Sequence, residues 1–459
     1  MSEIVEPILI SANDLGVQVI KAADEATIFK KECDEVKIKV QKLLELLEKT
    51  FNASSNLCEF PTHYVISKAE TVLHKSLSLF NKCTPKLRNR VLLIVRVSTF
   101  PEMLTGLERS ISDVLWLLKV STPPEDGERE LLGLPASAMN DPILFMVYEL
   151  MAILYTGTTD ESCEAATSMR TLASENPRYA EIMIRNGLCS VFVKILKHGS
   201  MRAQAEVACT ISVLVESFPE SQNVFAQYDV IQLLLSLLVA GKTPELEGSS
   251  HVKAMAAKAL SELAKGNSTI CKSITDSKRF LRFADLIQIE DREVKYNSVM
   301  ILLEITAVAE QNYGLRRSAF NFKSLVFKAI VNQIHKLIEE NGDTVLLIPY
   351  IRLIGSLARA FRASDTLMVE KLVKLLGHQD SKVLKEAVVA VTKFVTPCNY
   401  LHKDHSKAVV EAGGARKLVD LCYLGCEIRI PALELLLCIA LDVPDNEEVM
   451  KALEWAPKS

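Results

Sequence analysis

The sequence predicts an all-α fold, with an N-terminal helical bundle followed by a right-handed superhelical solenoid of about seven repeats. Aromatic residues make up only 6% of the 459 residues, and this composition suits helices better than sheets. Apolar residues recur at helical spacing through most of the chain. Similar helical segments also return after about forty residues, as stacked repeats do. A chain of this length is too long for one ordinary core.

The predicted bundle occupies residues 1–120. The segment DEVKIKVQKLLELLEKTF places four apolar residues on one helical stripe, Val36, Val40, Leu43 and Leu47. Three prolines stand where further helices should start, since the first turn does not need the missing N–H: Pro61, Pro85 and Pro101. The bundle should therefore contain four or five helices.

Residues 121–141 form the predicted linker, because STPPEDGERELLGLPASAMND has no apolar face and is rich in Pro, Gly and acidic residues. Residues 142–459 form the predicted solenoid. Val193 and Leu235 occupy equivalent positions 42 residues apart, and Val373 and Val419 do so 46 residues apart. A helical unit of this length is typical of armadillo repeats.

The last helices of the seven predicted repeats should start near Asp160, Met201, His251, Asp291, Asp343, Asp380 and Cys426. The segment GKTPELEGSS at 241–250 is predicted to be a flexible insertion within one repeat. No single unit can bury its own apolar face, so neighbouring units should stack.

The composition limits the function and the location of the chain. Apolar residues are 49% and charged residues 24%, which indicates a globular protein. A net charge of −4 argues against a general nucleic-acid binder. The start MSEIVEPILISANDLG lacks the basic region of a signal peptide, and no apolar run approaches the ~20 residues of a membrane span. We expect a cytoplasmic protein whose eleven cysteines are reduced and mostly buried.

We find no catalytic constellation and expect no enzyme activity, cofactor or small-molecule substrate. The chain has no phosphate-binding loop, dinucleotide fingerprint or nucleophile elbow. One segment, CNYLHKDHSK, carries Cys398, His402 and His405, and Cys422 and Cys426 could complete a zinc site. It lacks a paired C-x₂-C knuckle, so we favour an ordinary loop between repeats.

A basic run near the end of the predicted bundle is a candidate membrane contact. Between His74 and Arg96 the chain has no acidic residue. The candidate patch for anionic lipid consists of Lys82, Lys86, Arg88 and Arg90. The alternative is a solvated helix end in which Lys82 complements the helix dipole.

Several long segments resemble the plant armadillo-repeat-only protein family. They are VIKAADEATIFKKECDEVK, ISDVLWLLKVSTPPEDGERELLGLP, PILFMVYELMAILYTGTTDESCEAA, NVFAQYDVIQLLL, AKGNSTICKSITDSK, EITAVAEQNYGLRRSAF and NYLHKDHSKAVVEAGGA. The chain looks like a shortened member, apparently lacking about one repeat. It also lacks the long low-complexity insertion usual near 241–250.

The resemblance implies a non-enzymatic scaffold. Family members act with Rho-of-plants small GTPases and their GTPase-activating proteins in polarised growth and actin organisation. It also implies a peripheral position at the plasma membrane, with the nucleus as an alternative location. A second hypothesis comes from the bundle, which resembles those of plant immune and cell-death proteins and would make the chain a membrane-interacting protein.

Aligning the last helices of the repeats with one another predicts which of their residues face a partner. Peptide-binding armadillo proteins carry Trp and Asn at two positions of this helix, and neither residue occurs there in this chain. The corresponding residues form the candidate partner-binding groove: Lys258, Glu262, Met300, Glu304, Arg352, Ser356, Val389 and Lys393. This mixed charge favours a folded protein partner over an extended peptide. Asn297 lies too early in its helix to grip a peptide, and we expect it to be exposed or to bond a neighbouring repeat.

Overall fold

The computed structural model is helical throughout the residues it describes, with no β-strand among them. The described residues are 2–84, 98–121, 135–239, 249–340 and 342–455. They divide into two compact units, Met1–Val224 and Phe225–Ser459, and each unit is treated separately below. The predicted all-α class is confirmed.

The first unit begins with an antiparallel bundle of four described helices. These are α1 (Ser2–Asp24), α2 (Lys30–Asn52), α3 (Glu59–Lys82) and α4 (Thr99–Ser121). α1 packs against α2 and α3, and α4 packs against the same two helices. The predicted stripe of α2 is buried, and Pro61 and Pro101 are the third residues of α3 and α4. The helix expected at Pro85 lies outside the described residues.

The remainder of the first unit contains two repeats. Its helices are α5 (Pro142–Thr156), α6 (Thr159–Glu175), α7 (Pro177–Arg185), α8 (Leu188–His198) and α9 (Met201–Ser217). α6 starts at a capping box, in which Thr158 accepts from the Glu161 N–H and Glu161 accepts from the Thr158 N–H. α6 stacks against α9, as the last helices of consecutive repeats should.

A glycine turn links α7 to α8 beside the bundle. Gly187 has a φ of 85°, a left-handed conformation that costs side-chain-bearing residues free energy. A Cβ atom on Gly187 would lie 2.0 Å from the Phe60 ring of α3. Glycine is therefore required here both for the backbone angle and for the close approach of the bundle.

The second unit contains the remaining repeats. α10 (Ser221–Gln227) runs up to it, and its helices are α11 (Val230–Val239), α12 (Ser249–Ala264), α13 (Ser268–Asp276), α14 (Phe283–Leu286), α15 (Arg292–Gln311), α16 (Tyr313–Ala319), α17 (Leu325–Glu339), α18 (Thr344–Ser356), α19 (Thr366–Leu375), α20 (Ser381–Val395), α21 (His402–Glu411), α22 (Gly414–Cys422), α23 (Cys426–Asp442) and α24 (Glu447–Trp455). α12, α15, α18, α20 and α23 stack in that order, and we call them the inner layer. α11, α17, α19 and α22 pack against α12, α18, α20 and α23 respectively.

Three helices of the inner layer, α15, α18 and α20, each start at an aspartate that caps them. Asp291, Asp343 and Asp380 each accept a backbone N–H from the first turn of the helix that follows. All seven last helices, α6, α9, α12, α15, α18, α20 and α23, begin within a few residues of their predicted starts. The armadillo-type repeat architecture is thereby confirmed. The boundaries at 1–120, 121–141 and 142–459 stay a prediction, because most of the linker lies outside the described residues, as does most of the insertion at 241–250.

A buried histidine should make the second unit sensitive to acid. His405 is 1% exposed, packs edge-on against Phe394, and has no hydrogen-bond partner for either ring nitrogen. Burial lowers the pKa of His405, although Asp404 and Asp365 oppose the shift. The unfolded chain, with an ordinary histidine pKa of about 6.5, therefore takes up the proton first as the pH falls.

We expect the free energy of unfolding to be fully maintained above about pH 6.5 and to be lost as the pH falls toward the lowered pKa of His405. His405→Leu should reduce this loss, since the variant has no proton to take up. Urea unfolding of both proteins across this pH range measures the difference. Parallel losses in the two proteins would contradict the assignment to His405.

Candidate functional site

The solvent-facing side of the inner layer carries the predicted groove residues, and we call it the groove face. Lys258, Arg352 and Val389 are exposed on α12, α18 and α20. Glu262, Met300, Glu304 and Lys393 are half-buried. Ser356 is only 6% exposed, so its predicted availability to a partner is wrong. It lies in the buried last turn of α18, with the Lys393 side chain near its hydroxyl.

Two carboxylates, Glu262 and Glu304, lie with the exposed cation Lys258 at the end of the groove face formed by α12 and α15. Burial raises the pKa of Glu304, and Glu262 adds to the rise while Lys265 opposes it. Glu262 pairs with Lys265 at 3.6 Å. Glu304 also lines a cavity of about 500 Å³ that extends to Asn312 at the end of α15. This end therefore offers a partner charges of both signs.

Pairs of opposite charge connect helices of the inner layer at the other end of the groove face. Lys393 of α20 reaches Glu310 of α15 at 2.6 Å. Arg352 of α18 reaches Glu386 of α20 at 2.6 Å. Arg352 and Glu386 line a cavity of about 640 Å³ that extends to the start of α23. These pairs fix the positions of the charges across three helices, which gives a partner a preorganised surface.

The Lys393–Glu310 pair should stabilise the second unit. Both side chains are at least two-thirds buried, so Lys393→Met leaves Glu310 without its cation and should lower the free energy of unfolding by about 1–3 kcal/mol. Urea unfolding measures the effect. Lys385→Met is the matched control, because its partner Glu427 is 84% exposed and an exposed pair contributes only about 0–1 kcal/mol. Equal losses in the two variants would contradict a structural role for the inner pair.

Asn297 does not face a partner. It is 8% exposed, and its Nδ2 donates to the carbonyl of Ala254 at 3.0 Å. The acceptor lies on α12, the last helix of the preceding repeat. Of the two predicted alternatives, exposure of Asn297 is wrong and the bond to a neighbouring repeat is confirmed.

The candidate membrane patch is only partly within the described residues. Lys82 is exposed at the end of α3. Lys86, Arg88 and Arg90 lie outside the described residues. Lys75 and Lys82 line a cavity of about 440 Å³ between α3 and α4. Of the helices that the structure describes, none is both long and apolar enough to span a membrane.

The residues considered for zinc have separate structural surroundings. Cys398 and Cys426 are exposed, whereas Cys422 is buried. His402 bonds Asp442 at 2.7 Å, and His405 lies in the core. Throughout the described part of the chain, no group of three or more His, Cys, Asp or Glu side chains is placed to hold a metal ion.

The sequence analysis missed the charge pairs between helices. Glu310 and Lys393 are 83 residues apart, and Arg352 and Glu386 are 34 apart. A signal was available for Arg352 and Glu386, because opposite charges on neighbouring last helices can meet when repeats stack. The Lys393–Glu310 pair reaches past α18, and stacking of neighbours alone does not predict it.

Comparisons with known proteins support the fold and leave the function open. Residues 6–122, which hold most of α1 and all of α2–α4, match a family described as Domain of unknown function (DUF7792). No curated protein matches the chain in sequence. The crystal structure of an engineered protein from a structural genomics consortium is similar over 95% of this chain and 98% of its own. Its TM-score is 0.53 at 19% identity, which shows the fold.

Designed armadillo repeat proteins also resemble part of the chain. One is 19% identical with a TM-score of 0.38, over 63% of this chain and 98% of its own. Another, solved in complex with the peptide (KR)4, is 19% identical with a TM-score of 0.37 over the same shares. At TM-scores this low, the two structures support no conclusion about this chain.

Proposed function

We propose that the chain is a non-enzymatic scaffold that binds a folded protein partner across the groove face. The observation that carries this proposal is the set of charged side chains held along the inner layer. Glu262 and Glu304 lie with Lys258 at one end, and the Arg352–Glu386 and Lys393–Glu310 pairs lie at the other. A folded partner with complementary charges can meet both ends, and the charges would supply orientation and association rate.

The partner we propose is a Rho-of-plants small GTPase, bound together with its GTPase-activating protein. The support is the sequence resemblance to plant armadillo-repeat-only proteins, together with the repeat architecture. On this proposal the chain acts in the cytoplasm and at the plasma membrane, in polarised growth and actin organisation, with the nucleus as an alternative location.

Capture of purified proteins tests the partner. The immobilised full chain is incubated with a Rho-of-plants GTPase loaded with GDP or a GTP analogue, with and without the activating protein. The proposal expects retention of at least one of the two proteins. Retention of neither, while a full-length armadillo-repeat-only protein retains them under the same conditions, would contradict the proposed partner.

A membrane-interacting protein of immune or cell-death type is the second candidate. The observation that favours it is the cavity between α3 and α4, which Lys75 and Lys82 line. Full-length protein would be sedimented with vesicles of phosphatidylcholine, with or without phosphatidylserine. Binding that requires phosphatidylserine and falls on changing Lys82, Lys86, Arg88 and Arg90 to Gln would support this candidate, and release of an enclosed dye would favour the cell-death type. Equal binding by the variant would contradict it.

A further inference from the structure

Five cations come from segments near the C-terminal end of α15. None of them is a predicted groove residue. They are Arg316, Arg317, Lys323, Arg359 and Arg362, and we call them the basic cluster. Four of the five side chains are exposed, and Arg316 is half-buried. They come from α16, from the loop after it, and from the segment that follows α18.

Two arginines of the cluster meet at the same helix end. Arg316 donates to the carbonyls of Ala309 and Glu310 at 3.0 and 3.1 Å, and Arg359 donates to the Glu310 carbonyl at 3.4 Å. These contacts bring two guanidinium groups together at the C-terminal end of α15, whose dipole offsets part of their charge. Burial lowers the pKa of Arg316, and the nearby Arg359 lowers it further.

Carboxylates do not balance the basic cluster. Asp365 pairs with Arg362 at 3.3 Å, while the Glu310 carboxylate is taken by Lys393. Within the described residues, no ion pair is recorded for the other four cations. The chain also has no Asp or Glu between residues 311 and 338. An excess of positive charge therefore remains on this surface.

Two exposed aromatic rings lie among the cations. Phe322 is 40% exposed, with Arg362 at 4.6 Å and Lys323 at 5.7 Å from its ring centroid. Tyr313 is 65% exposed and lies 5.6 Å from the Arg316 guanidinium. The cation–π contacts restrict the arginine side chains, and the rings leave apolar surface open to a partner.

We propose that the basic cluster binds an acidic segment of a protein partner, whose carboxylates pair with the guanidinium groups while an apolar side chain packs on Tyr313 and Phe322. This inference rests on the proposed function and names the chemistry of one contact within it. Four of the five cations are arginines, whose planar donor pairs fit carboxylates better than lysines do. The guanidinium groups are held in place by their internal contacts, and Asp365 and Glu310 lie among them. Separate carboxylates of a peptide therefore fit this surface better than the diffuse negative charge of a membrane does.

The test uses fluorescence anisotropy with the full chain and a labelled peptide of alternating Glu and Tyr, with a Gln–Tyr peptide as the uncharged control. We expect binding of the Glu peptide alone, weakening with added salt. The variant Arg317→Gln/Lys323→Gln/Arg359→Gln should raise the Kd at least tenfold. The three side chains that this variant replaces make few or weak contacts within the protein, so its melting temperature should not change.

The matched control is Arg279→Gln/Lys407→Gln/Arg416→Gln, which removes the same charge from exposed positions outside the cluster. It should bind the Glu peptide like the unmodified chain. Equal loss in both variants would overturn the proposal, as would no binding by the unmodified chain. Binding to phosphatidylserine vesicles that depends on the cluster, without peptide binding, would overturn it in favour of a membrane. Peptide binding without GTPase capture would support the cluster and contradict only the proposed partner.

Discussion

Gly187→Ala should destabilise the first unit by ~2–5 kcal/mol. An alanine at φ 85° adopts the left-handed conformation at a cost of about 1–2 kcal/mol. Its Cβ would also lie 2.0 Å from the Phe60 ring, so the ring or the turn must move, and overpacking of this kind costs about 1–3 kcal/mol more. Urea unfolding followed by circular dichroism measures the change.

Gly413 supplies a matched control for this prediction. It has a φ of 75°, and a Cβ there would meet nothing within 4 Å. Gly413→Ala should therefore cost only the backbone contribution of about 1–2 kcal/mol. The double variant Gly187→Ala/Phe60→Ala should lose less than the sum of its single changes, because the ring that clashes is gone. Equal effects of Gly187→Ala and Gly413→Ala would show that the contact with the bundle is unimportant.

Adding negative charge at two exposed positions of the groove face should weaken partner binding at least tenfold. Lys258→Glu reverses a charge on α12, and Val389→Glu introduces a carboxylate on α20. The melting temperature should change little, since glutamate is a good helix former and the like-charge pair formed with Glu262 on α12 costs only about 0.2–0.5 kcal/mol. Arg352 and Lys393 are poorer choices, because their reversal would place carboxylates beside Glu386 and Glu310.

Titration of the GTPase captured in the pull-down, by isothermal calorimetry, gives the Kd of each variant. Lys407→Glu/Leu367→Glu is the matched control, with the same charge change at an exposed lysine and an exposed apolar residue outside the inner layer. We expect it to bind like the unmodified chain. A similar loss in both variants would indicate a general effect of net charge, whereas no loss in the groove variant would place the partner site elsewhere.

The local features of the fold could be predicted from the sequence because they depend on neighbouring residues. Asp291, Asp343 and Asp380 mark helix starts through bonds to the next turn, and the apolar stripe of α2 follows from helical periodicity. The repeat length followed from internal similarity alone.

Contacts between distant segments could not be predicted in the same way. The approach of Gly187 to Phe60 depends on how α3 packs against the α7–α8 turn, and nothing in either local sequence specifies it. The burial of Ser356 likewise follows from the packing at the end of α18. The charges of the groove face follow directly from its residue types, whereas the exposure of each residue depends on packing against distant segments.

Site-specific photo-crosslinking tests most directly whether the groove face binds the partner. A benzophenone amino acid would replace Val389, which is 40% exposed on α20, or Leu367, which is 53% exposed on α19. With the captured GTPase present, the account predicts a crosslinked product from position 389 and none from position 367. A product from position 367 alone would contradict the assignment of the partner site to the inner layer.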